Sequence, residues 1–206
     1  MNNLINIFPE VKHELIRPLI SLEDLQICQM WQQEPHKYRY LLTIFFRYHQ
    51  LNKSFEIDLN VQYLINKYYV QLWYFIFDEL FNYIYLPTPN VLKNAIQSLT
   101  EKFFLKEEIT NNQYNIKNQI NEEIIRYLPL QFFLGKALDK LSPLERIIIV
   151  TKDKFAWQEE KILEYLQQQK QKITSSELNA YYTQAHSHLL NSLPMDIITI
   201  YLHDID

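Results

Sequence analysis

The sequence predicts an all-α protein, and three observations carry that prediction. A single glycine, Gly135, occurs in 206 residues. Hairpins, bulges and phosphate loops depend on glycine for left-handed backbone, whereas helices are favoured by its scarcity. Ser142-Pro143-Leu144-Glu145 and Thr174-Ser175-Ser176-Glu177 each place a hydroxyl three residues before a glutamate, the pattern of a capping box. Elsewhere apolar side chains recur at three- and four-residue intervals, as on one side of a helix.

Taken in order, Ser21 is expected to cap a helix holding Leu22, Leu25 and Trp31, with Asp24 near its positive end. A longer helix is expected from Pro35, with Tyr38, Leu41, Leu42, Phe45 and Tyr48 along one side. Val61 to Tyr85 reads as the most aromatic helix, marked by Leu64, Tyr68, Leu72, Phe75 and Glu79. Thr88-Pro89 opens another, running through Ala95 and Leu99. From Glu107 to Glu123 the chain turns to Asn, Gln and charge, the composition of a linker or weakly held helix. Arg126 to Leu141 then leads into three closing helices.

The first of these begins at the Ser142 box and buries Ile147, Ile148, Ile149 and Val150 before ending near Asp153. The second starts around Trp157 and Gln158, with Ile162, Leu163 and Leu166 as its apolar side. Gln167 to Lys172 is a polar connection. The third starts at the Thr174 box, keeps Leu178, Tyr181, Tyr182, Ala185, Leu189 and Leu193 at helical spacing, and stops at Pro194; adjacent Tyr181 and Tyr182 cannot both face fully inward. Two capped helices joined by a turn fit a helix-turn-helix, whose second helix enters the DNA major groove.

Composition excludes several classes. Cys28 is the one cysteine, so no internal disulfide and no cysteine-rich zinc site can form. No basic-then-apolar leader is visible, and a secretory signal is not expected. The most lipid-like run, Tyr68 to Phe77, is closed by Asp78 and Glu79, far short of the roughly 20 apolar residues of a membrane span. His186 and His188 stand two apart on a helix and point to nearly opposite sides, and the other histidines lack ligand spacing. The pairs Glu107-Glu108, Glu122-Glu123 and Glu159-Glu160 lie in polar stretches and read as solvated charge. With one glycine there is no Walker loop and no nucleophile elbow. No catalytic residue, metal or cofactor is expected.

The run Leu141-Ser142-Pro143-Leu144-Glu145-Arg146-Ile147-Ile148 resembles the opening of the C-terminal domain of bacterial RNA polymerase sigma factors, of the extracytoplasmic-function type. Phe155 to Leu166 is similar to the next family segment. Lys161-Ile162-Leu163 stands where the family has Glu-Ile-Ala, and Leu166-Gln167 where it has a Leu-Gly turn. Leu22-Glu23-Asp24-Leu25, Trp31 and the Tyr40 to Tyr48 stretch resemble the start of the family's promoter-melting domain. Asn66-Lys67-Tyr68-Tyr69-Val70-Gln71-Leu72-Trp73 keeps the aromatic and Leu-Trp pair of the polymerase-docking segment but lacks its acids. Between Val91 and Phe104 the interleaved Trp and Arg of the melting helix are missing. The tail Leu193-Pro194-Met195-Asp196-Ile197-Ile198-Thr199-Ile200-Tyr201-Leu202 is similar to that of cyanobacterial and plastid sigma-like proteins.

The resemblance implies a core-binding helical domain over 1–105, a polar linker over 106–128 and a helix-turn-helix domain over 129–206. It implies RNA polymerase core and promoter DNA as partners, no membrane, and a place in the cytoplasm or plastid stroma. Polymerase contact falls to Asn66, Tyr69, Gln71 and Trp73. DNA contact falls to Ser175 and Ser176 at the helix start, Asn179, Tyr182 and Gln184 along it, and Lys170 and Lys172 before it. Charge weighs against an independent grip: the net charge is -4, and after Lys172 no lysine or arginine occurs. Two readings therefore stand together: a sigma-like transcription protein helped onto DNA by polymerase, and a degenerate sigma fold that binds another regulatory protein.

Overall fold

A computed structural model describes residues 2–51, 65, 67–81, 89–106 and 122–202, and every regular element among them is helical. The expected positions Val61 to Leu64, Asn82 to Tyr85 and Thr88, and the linker residues 107–121, lie outside the described residues. Among the described residues no helix is long and apolar enough to cross a membrane. The chain groups into two compact units: residues up to Phe132 together with those from Met195 onward, and Phe133–Pro194. The sequence placed the tail with the C-terminal domain, whereas its helix belongs to the first unit. Residues 122–128, expected in the linker, are helical.

The first unit opens with α1 (Asn2–Ile7), a 3-10 turn (Pro9–Lys12) and the short α2 (Arg17–Ile20). Next, α3 spans Asp24–Gln33, and its cap is not the expected Ser21. Glu23 holds the cap position, its N–H donating to Gln26 Oε1 at 2.9 Å. Ser21 instead closes α2, donating its hydroxyl to the Pro18 carbonyl at 3.2 Å. The helix expected from Pro35 begins at Arg39, because the Pro35 carbonyl is taken by Trp31 Nε1 at 3.3 Å.

That helix, α4 (Arg39–Tyr48), buries Tyr40, Leu41, Leu42, Ile44, Phe45 and Phe46. Burial on nearly every side marks a central helix rather than the one-sided helix that its sequence predicts. α5 (Tyr69–Phe81) packs on it, α6 (Pro89–Lys106) packs on α3 and α5, the first part of α7 (Glu122–Asp139) meets α5 through Phe132, and the tail helix α11 (Met195–Leu202) bonds the first residue of α4. A run of aromatic rings crosses the otherwise aliphatic core. Phe45 meets Trp73 edge-on with centroids 4.8 Å apart, Trp73 meets Phe77 at 5.5 Å, and Phe77 meets Phe132 at 5.2 Å. Such pairs add to the large apolar area each ring removes from water.

Arg47 ties the start of the unit together. Its Nη1 donates to Asp24 Oδ1 at 2.6 Å, and its Nη2 donates to the carbonyls of Leu19 and Ile20 at 3.0 Å each and to that of Leu22. The fork thus satisfies carbonyls left over at the end of α2. Cys28 is buried beside it, and burial first, then the Asp24 charge, pushes its thiol up to about 11.

In the second unit, α8 (Pro143–Ile149) runs into a π-helical turn (Val150–Lys154), followed by α9 (Glu159–Gln168) and α10 (Ser175–Ser192). Both capping boxes form: Ser142 N–H donates to Glu145 at 2.9 Å and Thr174 N–H to Glu177 at 2.7 Å. Ile148, Ile162, Leu166 and Leu178 make a fully buried core, with Leu163 half-buried at its rim. A second cluster joins Leu141, Ile149 and Ala185. Leucine at 163 is accommodated because it lies at that margin and not at the centre. The chain closes with α11 (Met195–Leu202), which buries Asp196, Ile197 and Ile200 in the first unit.

Candidate functional site

The side chains expected to face DNA start from the cap of α10. Thr174 turns the chain so that Ser175 begins the helix beside the first turn of α9. There the Ser175 hydroxyl donates to Glu159 Oε1, while Asn179 Nδ2 reaches Glu159 Oε2 at 3.5 Å and the Ser175 carbonyl at 3.2 Å. One turn further along α10, the Tyr182 hydroxyl donates to Asp153 Oδ1 at 2.7 Å. This bond, helped by burial, pushes the phenol up to about 12. His186 Nε2 stands 3.0 Å from the other oxygen of Asp153, and its ring meets Tyr182 edge-on at 4.6 Å.

Lys152 completes the group. Its ammonium lies 3.9 Å from the centre of the Tyr182 ring and donates to Asn179 Oδ1 at 3.4 Å. A cation over a tyrosine face is attracted by the ring quadrupole. Ser175, Asn179 and Tyr182, three of the predicted DNA contacts, are therefore brought together with two carboxylates and one ammonium. Ser176 and Gln184 lie exposed on α10, and Lys170 and Lys172 lie exposed in the connection before it. Lys170 takes a left-handed backbone, φ 61°, at the end of α9, where the Gln171 N–H bonds the Leu166 carbonyl at 2.9 Å. This is the Schellman closure of a helix, for which glycine is the usual residue.

The polymerase-docking residues separate sharply. Asn66 lies outside the described residues. Tyr69 and Trp73 are core residues, 5 % and 0 % exposed, and the Tyr69 hydroxyl donates to the His49 carbonyl at 2.9 Å. Their bulk and aromatic character serve the interior of the first unit, not a docking surface. Of the three that are described, Gln71 is the one that presents its side chain to solvent.

Glu159 and Asp153 are the site residues that sequence reasoning missed. Glu159 read as solvated charge, and Asp153 only as a helix end. Each meets its partners across 16 to 33 residues of sequence, a closure that no local pattern announces. His186 and His188 do diverge as expected. His188 Nδ1 lies 2.6 Å from Glu145, away from the Asp153 contact of His186. Among the described residues no group of three or more His, Cys, Asp or Glu is placed to hold a metal ion.

A further aromatic patch lies around Trp157, at the margin of the core. Trp157 is covered by Lys161 at 4.2 Å and touches Tyr165 edge-on at 5.7 Å, with Phe155 exposed beside it. No protein-family model, curated protein or solved structure matches the chain.

Proposed function

We propose that the chain is a sigma-like transcription protein. Its Phe133–Pro194 unit serves as a helix-turn-helix, and it acts with RNA polymerase core in the cytoplasm or plastid stroma. The observation that carries this reading is the pair of capping boxes at Ser142 and Thr174. They open α8 and α10 around one core of Ile148, Ile162, Leu166 and Leu178. That arrangement supplies a capped second helix with Asn179 and Gln184 on its polar side, the residue types that pair with adenine edges. Lys152, Lys170 and Lys172 supply the few positive charges for phosphate contact.

Such a surface gives weak DNA affinity by itself, so polymerase supplies most of the binding and promoter DNA is engaged within the complex. Gln71 on α5 is a candidate for the polymerase side. The second reading, a degenerate sigma fold that binds another regulatory protein, is favoured by one observation: Glu159 and Asp153 occupy Ser175, Asn179 and Tyr182.

Affinity capture of the full chain from its host, followed by promoter-shift assays with purified core polymerase, separates the two. The sigma-like reading expects polymerase subunits in the captured material and a salt-sensitive shift that needs the enzyme. Capture of a different regulator, with no shift at low salt in the presence of polymerase, selects the adaptor.

A further inference from the structure

We infer that Glu159 and Asp153 act as an internal mask on the nucleic-acid face of α10, holding its polar side chains in charge-assisted bonds and repelling phosphate. The inference rests on the sigma-like reading of this unit and adds what sets its dependence on polymerase. Three observations point the same way. Ser175 and Asn179 both turn to the carboxylate of Glu159, and Tyr182 turns to that of Asp153. Lys152, the basic residue that reaches α10, spends its charge on Asn179 and on the Tyr182 ring. The group therefore contains two carboxylates against one ammonium, at the place where a phosphate chain would have to lie.

A glutamate in the first turn of α9 also favours that helix through its dipole, which accounts for one carboxylate there. It does not account for both acids converging on α10. Hydrogen bonds to an ionised carboxylate are about twice as strong as neutral ones. Replacing the acids by their amides therefore loosens Ser175, Asn179 and Tyr182 while keeping the shapes that fill the group.

The test compares the wild-type full chain, E159Q/D153N and E160Q/E164Q for binding to a labelled A·T-rich duplex at low salt without polymerase. The last variant removes the same net charge from exposed α9 positions that make no hydrogen bond or ion pair with α10. Unmasking predicts that E159Q/D153N binds roughly tenfold more tightly than wild type and with a steeper salt dependence. E160Q/E164Q should gain less than about threefold, as expected for exposed, screened charges. Equal affinities for the two double variants, or no gain for either, overturn the inference. Circular dichroism checks the fold, and E159Q alone replaces the double variant if that one has lost helix. Wild-type chain with core polymerase on the same duplex forms a separate arm: a shift there without any E159Q/D153N gain removes the mask and leaves the sigma-like reading intact.

Discussion

The carboxylate of Asp196 accepts a hydrogen bond from the backbone N–H of Arg39 at 2.8 Å, although 157 residues separate them. Arg39 is the first residue of α4, so the tail helix of the same chain supplies the cap that the sequence before α4 lacks. The acid also sits where the positive end of that helix dipole favours a negative charge.

Because Asp196 is 6 % exposed, removing its side chain leaves a donor without water to replace it. Asp196→Ala is expected to lower unfolding free energy by about 1–2 kcal/mol, with Asp196→Asn recovering part of it. Urea titration of the full chain measures both. Equal stability of the alanine variant and the wild type would show that the tail is not held by this bond.

Lys170 is a second place where a local choice has a measurable cost. Its φ of 61° brings the side-chain Cβ against its own backbone, a penalty that glycine escapes. Lys170→Gly is expected to raise stability by about 1 kcal/mol, offset in part by the greater freedom of glycine in the unfolded chain. A higher melting temperature reports it. Ala156, with φ 49°, is the parallel site in the turn before α9.

These two sites show where the sequence is legible. The boxes at Ser142 and Thr174 form as read, because their partners lie three residues away and the bond is local. The core positions Ile148, Ile162, Leu166, Leu178 and Ala185 follow from spacing for the same reason. The cap of α3 falls at Glu23, two residues after the expected Ser21, since both residues can accept a bond and only the chain path decides between them. Long-range contacts had no signal: Asp196 with Arg39, Glu159 with Ser175, and the burial of Trp73. Trp73 is the clearest case, since a Leu-Trp pair suits a docking surface and a core equally well by composition.

Acid should weaken the second unit through its caps. The Ser142 hydroxyl, then its backbone N–H and the contact with His188, hold Glu145 below the ordinary 4.5 of a glutamate. The Thr174 backbone N–H, then its hydroxyl, does the same for Glu177. A folded-state value below the unfolded one means that the unfolded chain binds more protons in that range. The stabilisation is therefore complete above the unfolded value and is lost as pH falls through the depressed ones. Thermal melts should be insensitive to these groups between pH 6 and 7, on the order of two pH units above that range, and should fall below about pH 4. Glu145→Gln and Glu177→Gln together should flatten the acid limb. An unchanged limb would assign it to other carboxylates.

The first unit offers a separation between stability and recognition at neighbouring positions of α5. Trp73 is fully buried, with Phe45, Tyr69 and Phe77 against its ring. Trp73→Ala should cost about 3–5 kcal/mol, because the cavity left among rigid rings collapses only partly. Gln71 is exposed, and Gln71→Ala should leave stability within about 0.5 kcal/mol of wild type. If α5 docks on polymerase, capture of the enzyme by the Gln71→Ala chain should drop at unchanged melting temperature. Capture by Trp73→Ala should drop only in proportion to the fraction unfolded. Full capture by both variants under conditions where each is folded would move the polymerase contact away from this helix.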